Sequence, residues 1–294
     1  KEIIDDRTFG LQGFNIVDNI KKITKYATTI NDKNKIKYHL KRAIYEAKAG
    51  RPGPSWLDIP MDIQSQTINP NDLEDFHPPE IKNHIDSASL NNLLSLIEKA
   101  KKPIIVFGRG IKISNTKSKL LKLLADTSIP GISARMANDL ISFESPFYFG
   151  MGGIRGNRIS AKIISESDLI IALGTSLGFS FMGDLIKSKI NLIVVNIDQK
   201  IFERSDLNIT CGLKTELNLF FDSINKIENK PQFKNWHEYC LSIKSNNPMV
   251  TELEKKDPIN SYYFIERIAA LTNSKNIITN DAGSSNYICS QAMR

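Results

Sequence analysis

The segment Gly50-Arg51-Pro52-Gly53-Pro54-Ser55-Trp56-Leu57-Asp58-Ile59-Pro60 joins a helix to a strand without slack. Before it, apolar residues recur at helical spacing and predict one face of a helix: Ile36, Leu40, Ala43, Ile44 and Ala47. Gly50 is placed to end that helix, and the two prolines cannot continue it. The next residues predict a short strand that Pro60 stops. We expect Gly53 to need a positive φ and Trp56 to be packed.

Helical and strand patterns alternate along the rest of the chain. Continuous apolar runs predict strands buried on both faces at 103–107, 168–173 and 191–198. Ser89 is a plausible N-cap for a helix that ends before the first of them, and further helices are predicted around 120–124 and 159–166. A short strand is predicted at 129–134 and another at 276–281. This alternation predicts an α/β fold with a doubly wound parallel sheet.

Composition and charge exclude several classes of protein. The chain has 294 residues, of which 41% are hydrophobic and 24% are charged, as in ordinary globular proteins. Apolar runs of 18 residues are absent from the sequence, so no membrane span is predicted. The net charge of +7 comes from lysines scattered on helical faces, so we expect no nucleic-acid partner.

The three cysteines predict neither a zinc site nor a disulfide framework. Cys211, Cys240 and Cys289 lie far apart and form no Cys-x-x-Cys pair. This usage favours a reducing cytoplasm. The chain opens without a signal-peptide pattern or an initiator Met and ends inside a helical pattern, and we interpret it as part of a longer protein.

Three loops follow predicted strands, where open parallel sheets bind ligands. They contain Gly108 and Gly110, then Gly174 and Thr175, and finally Asp198. Glycines let the backbone approach a phosphate, and an acidic residue at a strand end can accept hydrogen bonds from ribose. The alternative is that the glycines only turn the chain from strand to helix, since the third glycine of Gly-x-Gly-x-x-Gly is missing.

Two further stretches leave their interpretation open. The glycine-rich stretch 150–156, which includes Gly152, indicates either tight packing or a backbone-lined ligand wall. Gly283, Ser284 and Ser285 open a predicted helix, where the serines either cap it or face a diphosphate. The sequence predicts no metal cluster. Its four histidines form no ligand pair, and we interpret all of them as surface or boundary residues: His39, His77, His84 and His237.

The order of these segments resembles thiamine diphosphate (ThDP) enzymes of the acetolactate synthase family. Besides the corner at 50–60, the likeness rests on Phe9-Gly10-Leu11-Gln12-Gly13 and on Asn280-Asp281-Ala282-Gly283. The resemblance implies five parts. Residues 1–65 would end the pyrimidine-binding domain, 66–87 would be a linker, 88–228 the central Rossmann-like domain, 229–260 a helical connector and 261–294 the start of the diphosphate-binding domain.

The resemblance also implies an activity and its residues. It implies a carboligase or decarboxylase acting on a 2-keto acid, most directly one that converts two pyruvates to acetolactate and CO2, in a homodimer or homotetramer. Gln12 matches the glutamine that approaches the reacting end of the cofactor. Ser284 and Ser285 match the positions that touch the diphosphate. Family members often have Gln-His there, so this departure leaves the substrate open.

Cofactors follow from the same resemblance. ThDP and Mg²⁺ are implied, but the matching glutamate and the Gly-Asp-Gly…Asn motif fall outside these residues, so we expect this chain alone to be inactive. The central domain usually holds FAD. Thr175 replaces the usual arginine and Leu213 the usual acidic residue, which argues against FAD, whereas the retained Asp198 keeps it open. The alternatives are a stand-alone module that binds FAD or ADP without catalysis and a purely structural module.

Overall fold

The computed structural model describes residues 14–79, 85–178, 181, 190–256, 260–273 and 275–293. The chain divides into two compact units, residues 1–82 and 83–294. Within the described residues, every helix is too short or too polar to cross a membrane.

The first unit contains a small parallel sheet of two strands. Its helices and strands are α1 (Ile16–Ile20), β1 (Tyr26–Thr29), α2 (Ile36–Lys48), β2 (Ser55–Asp58) and α3 (Met61–Gln64). Tyr26 pairs with Ser55 and Thr29 with Asp58, so the two strands run parallel. The corner predicted from the sequence thus connects the crossover helix α2 to β2.

Details of that corner differ from the prediction. The predicted helix and strand are confirmed, and Gly50 ends the helix at a φ of +57°. Gly53 does not have a positive φ; its amide donates to the Ala47 carbonyl at 3.0 Å. Trp56 is 45% exposed rather than packed, because the described part of this unit is too small to cover both faces of a two-stranded sheet.

The second unit is a larger α/β structure. Its strands are β3 (Pro103–Phe107), β4 (Gly131–Ser133), β5 (Tyr148–Met151), β6 (Leu169–Leu173), β7 (Asn191–Asn196) and β8 (Cys211–Lys214). Its helices are α4 (Ser87–Lys99), α5 (Gly110–Ile113), α6 (Lys117–Thr127), α7 (Arg158–Glu166), α8 (Leu217–Asn225), α9 (Lys234–Asn246), α10 (Ser261–Leu271) and α11 (Ser284–Ala292). The six strands form one parallel sheet in the order β5-β4-β3-β6-β7-β8.

Both faces of this sheet are buried, which explains the continuous apolar runs. Alternate residues of β3 point to opposite sides. Ile105 and Phe107 pack with side chains of α4, α6 and α8 in one core. Ile104 and Val106 pack with side chains of α7 and α9 in the other. The predicted doubly wound parallel fold is therefore confirmed.

The order in which successive strands are added reverses at the centre of the sheet, although all six strands run parallel. From β3 the chain adds β4 and β5 on one side, and then returns to add β6, β7 and β8 on the other. The carboxyl ends of β3 and β6 thus flank the topological switch point, where open α/β sheets place ligands. The loop that follows each of these two strands was singled out in the sequence as a candidate ligand site.

Several sequence predictions fail at the edges of the second unit. Asp86, not Ser89, caps α4, since its carboxylate accepts from the amides of Ala88 and Ser89. The short strands β5 and β8 were not predicted. The strand predicted at 276–281 is absent: residues 275–283 are exposed and irregular, because no neighbouring strand among the described residues pairs with them.

Candidate functional site

The loops at the switch point are in direct backbone contact. The amide of Gly110 donates to the Gly174 carbonyl at 2.9 Å, and the amide of Gly108 donates to the Leu173 carbonyl at 3.0 Å. A side-chain carbon on Gly108 would lie 2.5 Å from the Gly174 carbonyl oxygen. One on Gly110 would lie 2.7 Å from the Gly174 Cα. These contacts favour the interpretation that the glycines let the loops after β3 and β6 pack together.

Neighbouring side chains fix the loop after β6. Thr175 is buried, and its hydroxyl accepts from the Leu177 amide at 3.3 Å. The side chain of Asn196, at the end of β7, donates to the Thr175 carbonyl at 3.0 Å. The Arg204 guanidinium donates to the Ser176 carbonyl at 2.6 Å and to that of Leu177 at 2.9 Å. The sequence did not single out Asn196 or Arg204, because nothing local links either of them to this loop.

Asp198 begins a short helical turn after β7. Its carboxylate accepts from the Lys200 amide at 3.1 Å, and its own amide donates to the Asn196 side chain at 3.0 Å. Aspartate is a favoured residue at such a cap. Part of the reason for an acidic residue at this position is therefore local backbone structure, whatever ligand the loop meets.

Protein atoms enclose most of the glycine-rich stretch 150–156. Gly150 belongs to β5 and has a φ of +92°, and the Asn157 amide fills its side-chain position. A side chain on Gly152 would meet Phe181 at 2.7 Å and Ile132 at 2.9 Å. A side chain on Gly156 would meet the Met151 carbonyl. Tight packing accounts for these three glycines better than an open ligand wall does.

The turn before α11 differs from those loops because it is open. Gly283 has a φ of +105°, and no atom of the described residues lies within 4 Å of the position that a side chain would take. Gly283 is itself the N-cap, and no described side chain caps the helix. Ser284 and Ser285 are the first two helical residues and are exposed. Of the two alternatives left open by the sequence, the one in which the serines cap this helix is therefore wrong, and the helix presents its first amides to solvent.

The structure brings the predicted residues together only in part. Gly108, Gly110, Gly152, Gly174, Thr175 and Asp198 all follow or end strands at the carboxyl edge of one sheet. Gln12 lies outside the described residues. In the part of the chain that the structure describes, no three His, Cys, Asp or Glu side chains are grouped to hold a metal ion.

One histidine interpreted as a surface or boundary residue is buried. His237 lies between Phe147 and Phe149, with ring centroids 5.2 and 5.6 Å away. Its Nδ1 has no hydrogen-bond partner among the described residues, and burial holds the pKa of this imidazole below its ordinary value. A sequence signal was available, since Phe233, Trp236, Cys240 and Ile243 form an apolar stripe on the same helix.

A cavity of about 660 Å³ lies apart from the predicted site residues. Its lining comes from α7, α9 and the segment before β5 and includes Phe143, Ile159 and Lys244. The Lys244 ammonium donates to the carbonyls of Phe143, Ser145 and Tyr148. Because an ammonium has three N–H groups, these contacts saturate it, and it holds the segment before β5 rather than offering an anion site.

Comparison with known proteins finds a family match within the second unit. Residues 90–219 match the thiamine pyrophosphate enzyme central domain. The chain is 28% identical to the probable acetolactate synthase large subunit of Methanococcus aeolicus, over 82% of this chain and 44% of that protein. It is 24% identical to the acetolactate synthase isozyme 1 large subunit of Escherichia coli K12, over 92% of this chain and 48% of that protein.

The large subunit of acetolactate synthase from Lactococcus lactis is 28% identical, with 89% of this chain and 46% of that protein aligned. The chain thus spans less than half the length of each of these relatives. The α/β fold, with its parallel sheet and helices on both faces, agrees with the central-domain match. Residues 90–219 therefore resemble the central domain of thiamine pyrophosphate enzymes, and most of the chain is similar to acetolactate synthase large subunits.

Proposed function

We propose that the protein is a ThDP-dependent carboligase or decarboxylase that acts on a 2-keto acid. The most direct form of this activity is the one for which its relatives are named, that of acetolactate synthase, which converts two pyruvates to acetolactate and CO2. The match of residues 90–219 to the central domain of thiamine pyrophosphate enzymes and the names of the relatives support this proposal. The structural observation that carries it is the open, uncapped turn at Gly283.

This turn fits the diphosphate end of the cofactor. Amides at the start of a helix point outward and favour an anion, and the helix dipole adds to this preference. Gly283 leaves room for a close approach, and the exposed hydroxyls of Ser284 and Ser285 add polar groups. When bound, ThDP supplies the nucleophilic carbon and the electron sink of the reaction.

The proposal gives one more role to a residue of this chain and leaves two roles to residues outside it. We assign Gln12 to the reacting end of the cofactor, on the resemblance alone. The matching positions for Mg²⁺ ligands and for the glutamate that activates the cofactor are not among these 294 residues. The proposal therefore gives this chain binding and orientation, and we expect it to be inactive by itself.

FAD does not fit the loops of this central domain well. The space on the side-chain side of Gly108 and Gly110 is taken by the backbone of Gly174. Thr175 is buried and offers no cation to a phosphate. We therefore include no FAD in the proposal, and no observation favours the alternative of a stand-alone nucleotide-binding module.

We further propose that the intact protein is a homodimer or homotetramer. The support is the family resemblance, in which the cofactor lies between subunits. Light scattering on the native protein should give at least twice the mass of one subunit, and a clean monomer would contradict the proposal.

Activity of the native protein tests the function. The native protein would be isolated from its source with an antibody raised against this chain. It should form acetolactate or acetoin and CO2 from pyruvate only when ThDP and Mg²⁺ are present. The 294-residue chain, assayed in parallel, should not. A native protein without ThDP-dependent turnover of any 2-keto acid would overturn the proposal, and turnover by the isolated chain would overturn the roles given to residues outside it.

A further inference from the structure

Helix α11 is held by the loops at the carboxyl edge of the large sheet. The side chain of Gln291 donates to the carbonyls of Arg155 and Gly156 at 3.0 and 3.1 Å. Its carbonyl oxygen accepts from the Tyr262 hydroxyl of α10 at 2.8 Å. One amide therefore joins α10, α11 and the end of the glycine-rich stretch.

Two further contacts hold the same face of α11. The Arg155 guanidinium carbon lies 3.9 Å from the centroid of the Tyr287 ring, within the range of a cation–π interaction. The side chain of Asn138 donates to the Ser290 carbonyl at 3.0 Å. Tyr287, Ser290 and Gln291 are three and four positions apart, so they lie on one side of the helix.

Asn138 is in turn held by buried groups of the sheet. The Tyr148 hydroxyl donates to the Asn138 side-chain oxygen at 2.8 Å. Because that hydroxyl has one proton, it accepts at 2.8 Å from Ser133, which is buried at the end of β4. A chain of hydrogen bonds thus runs from the sheet to the backbone of α11. We call Asn138, Arg155 and Gly156, which contact Tyr287, Ser290 and Gln291 of α11, the docking seat.

Among the described residues, the turn before α11 has few other contacts that fix its place. Its hydrogen bonds are local: the Ala282 amide to the Asp281 carboxylate, the Ser285 hydroxyl to the Asp281 carbonyl, and the Asn286 amide to Asn280. They shape the turn but do not anchor it. Arg135 donates to the Asn286 side chain and is the contact from the sheet edge nearest to the turn.

We propose that Asn138, Arg155 and Gln291 are positioning residues that fix the turn Gly283–Ser285 against the carboxyl edge of the sheet. This inference rests on the proposed function, in which that turn contacts the diphosphate. It also gives the glycine-rich stretch a role: the tight packing of Gly152 and Gly156 fixes the positions of the two carbonyls that accept hydrogen bonds from Gln291.

Hydrogen exchange measures how firmly the seat holds the helix. Tyr287→Ala and Gln291→Ala should each raise amide exchange in residues 283–292 by about tenfold, since each removes contacts of modest strength. Tyr287→Phe keeps the ring and should exchange like the parent. Exchange in β3, β6 and β7 should stay unchanged in all three variants. Equal exchange in Tyr287→Ala and the parent, or faster exchange throughout the sheet, would overturn the inference.

A distance measurement separates position from stability. Spin labels would be placed by Ser285→Cys and Lys162→Cys, which is selective because the three native cysteines are buried. The parent should give one narrow distance distribution, and Gln291→Ala a broad one. A broad distribution in the parent, or an unchanged narrow one in Gln291→Ala, would overturn the inference. Neither readout uses ThDP, so a failure of cofactor binding would count against the proposed function alone.

Discussion

The side-chain amide of Asn157 occupies the place that a side chain on Gly150 would take. Its oxygen accepts from the Ser160 amide at 2.7 Å and caps α7, while its nitrogen lies against Gly150. Asn157 is buried, and Gly150 has a φ of +92°. One amide therefore joins the start of a helix to a strand of the sheet.

Gly150→Ala should consequently destabilise the second unit. The new methyl group would collide with Asn157, and an L-residue is strained at this φ. We expect a loss of about 2–4 kcal/mol in the free energy of unfolding, measured by urea denaturation. Gly178→Ala is the matched control, because no atom of the described residues lies within 4 Å of that position and its φ is not in the left-handed region. Equal stability of the two variants would contradict this account.

Calorimetry should detect no binding of ADP or FAD to the chain. The reason is that the loops carrying Gly108 and Gly174 pack against each other rather than around a phosphate. The informative variant is Asp198→Ala, since Asp198 is the residue expected to meet a ribose. Stoichiometric binding by the parent that this variant abolishes would show that the loops separate, and the nucleotide-binding alternative would replace our interpretation.

His237 should make stability fall as the pH is lowered. Burial is the main cause of its lowered pKa, Lys244 adds to it, and the Ser128 backbone and Glu238 oppose it. The folded protein thus binds this proton less readily than the unfolded chain does. The contribution is complete above the ordinary value of 6.5 and is lost as the pH falls below it.

Urea midpoints between pH 8 and pH 5 measure this effect. The fall should be shallower in His237→Gln than in the parent and unchanged in His77→Gln, because His77 is exposed. The comparison concerns slopes, so a general loss of stability in His237→Gln does not obscure it. Parallel slopes for parent and His237→Gln would refute the assignment.

Lys244→Met should cost about 2–3 kcal/mol of stability, because it leaves two carbonyls just before β5 and the carbonyl of its first residue without their charged donor. Lys226→Met is the control, since Lys226 is exposed and lies at the end of α8. Thermal unfolding followed by circular dichroism compares the two. A melting temperature for Lys244→Met that equals that of Lys226→Met would show that the ammonium does not hold the segment.

Sequence patterns predicted the parts of the fold that are buried on both faces. The runs 103–107, 168–173 and 191–198 were found because all residues of β3 and β6 and the four central residues of β7 are buried. β8 was missed because it lies at the sheet edge, alternates in exposure and contains Gly212. β5 was missed because Gly150 made it resemble a loop. The run 276–281 has strand composition, but a strand also requires a neighbour to pair with.

Only those features of the candidate site that depend on residues adjacent in the sequence were predictable. Glycines after strands pointed correctly to the carboxyl edge of the sheet. Whether a glycine faces a ligand or another backbone depends on contacts such as that between Gly110 and Gly174, which lie far apart in the sequence. The same holds for Asn157 against Gly150 and for Arg155 against Tyr287. These pairs are set by tertiary packing, which no local pattern encodes.

The strand order of the large sheet also determines which strand pairings are short-range and which are long-range along the chain. Neighbours β3–β4, β4–β5, β6–β7 and β7–β8 follow each other directly along the chain, whereas β3 pairs with β6 and brings Pro103 opposite Leu169. Closing this long loop has the largest entropic cost of the pairings in the sheet. Two three-stranded halves can therefore form from short-range contacts, and the line where they meet, between β3 and β6, contributes most to the contact order of the unit.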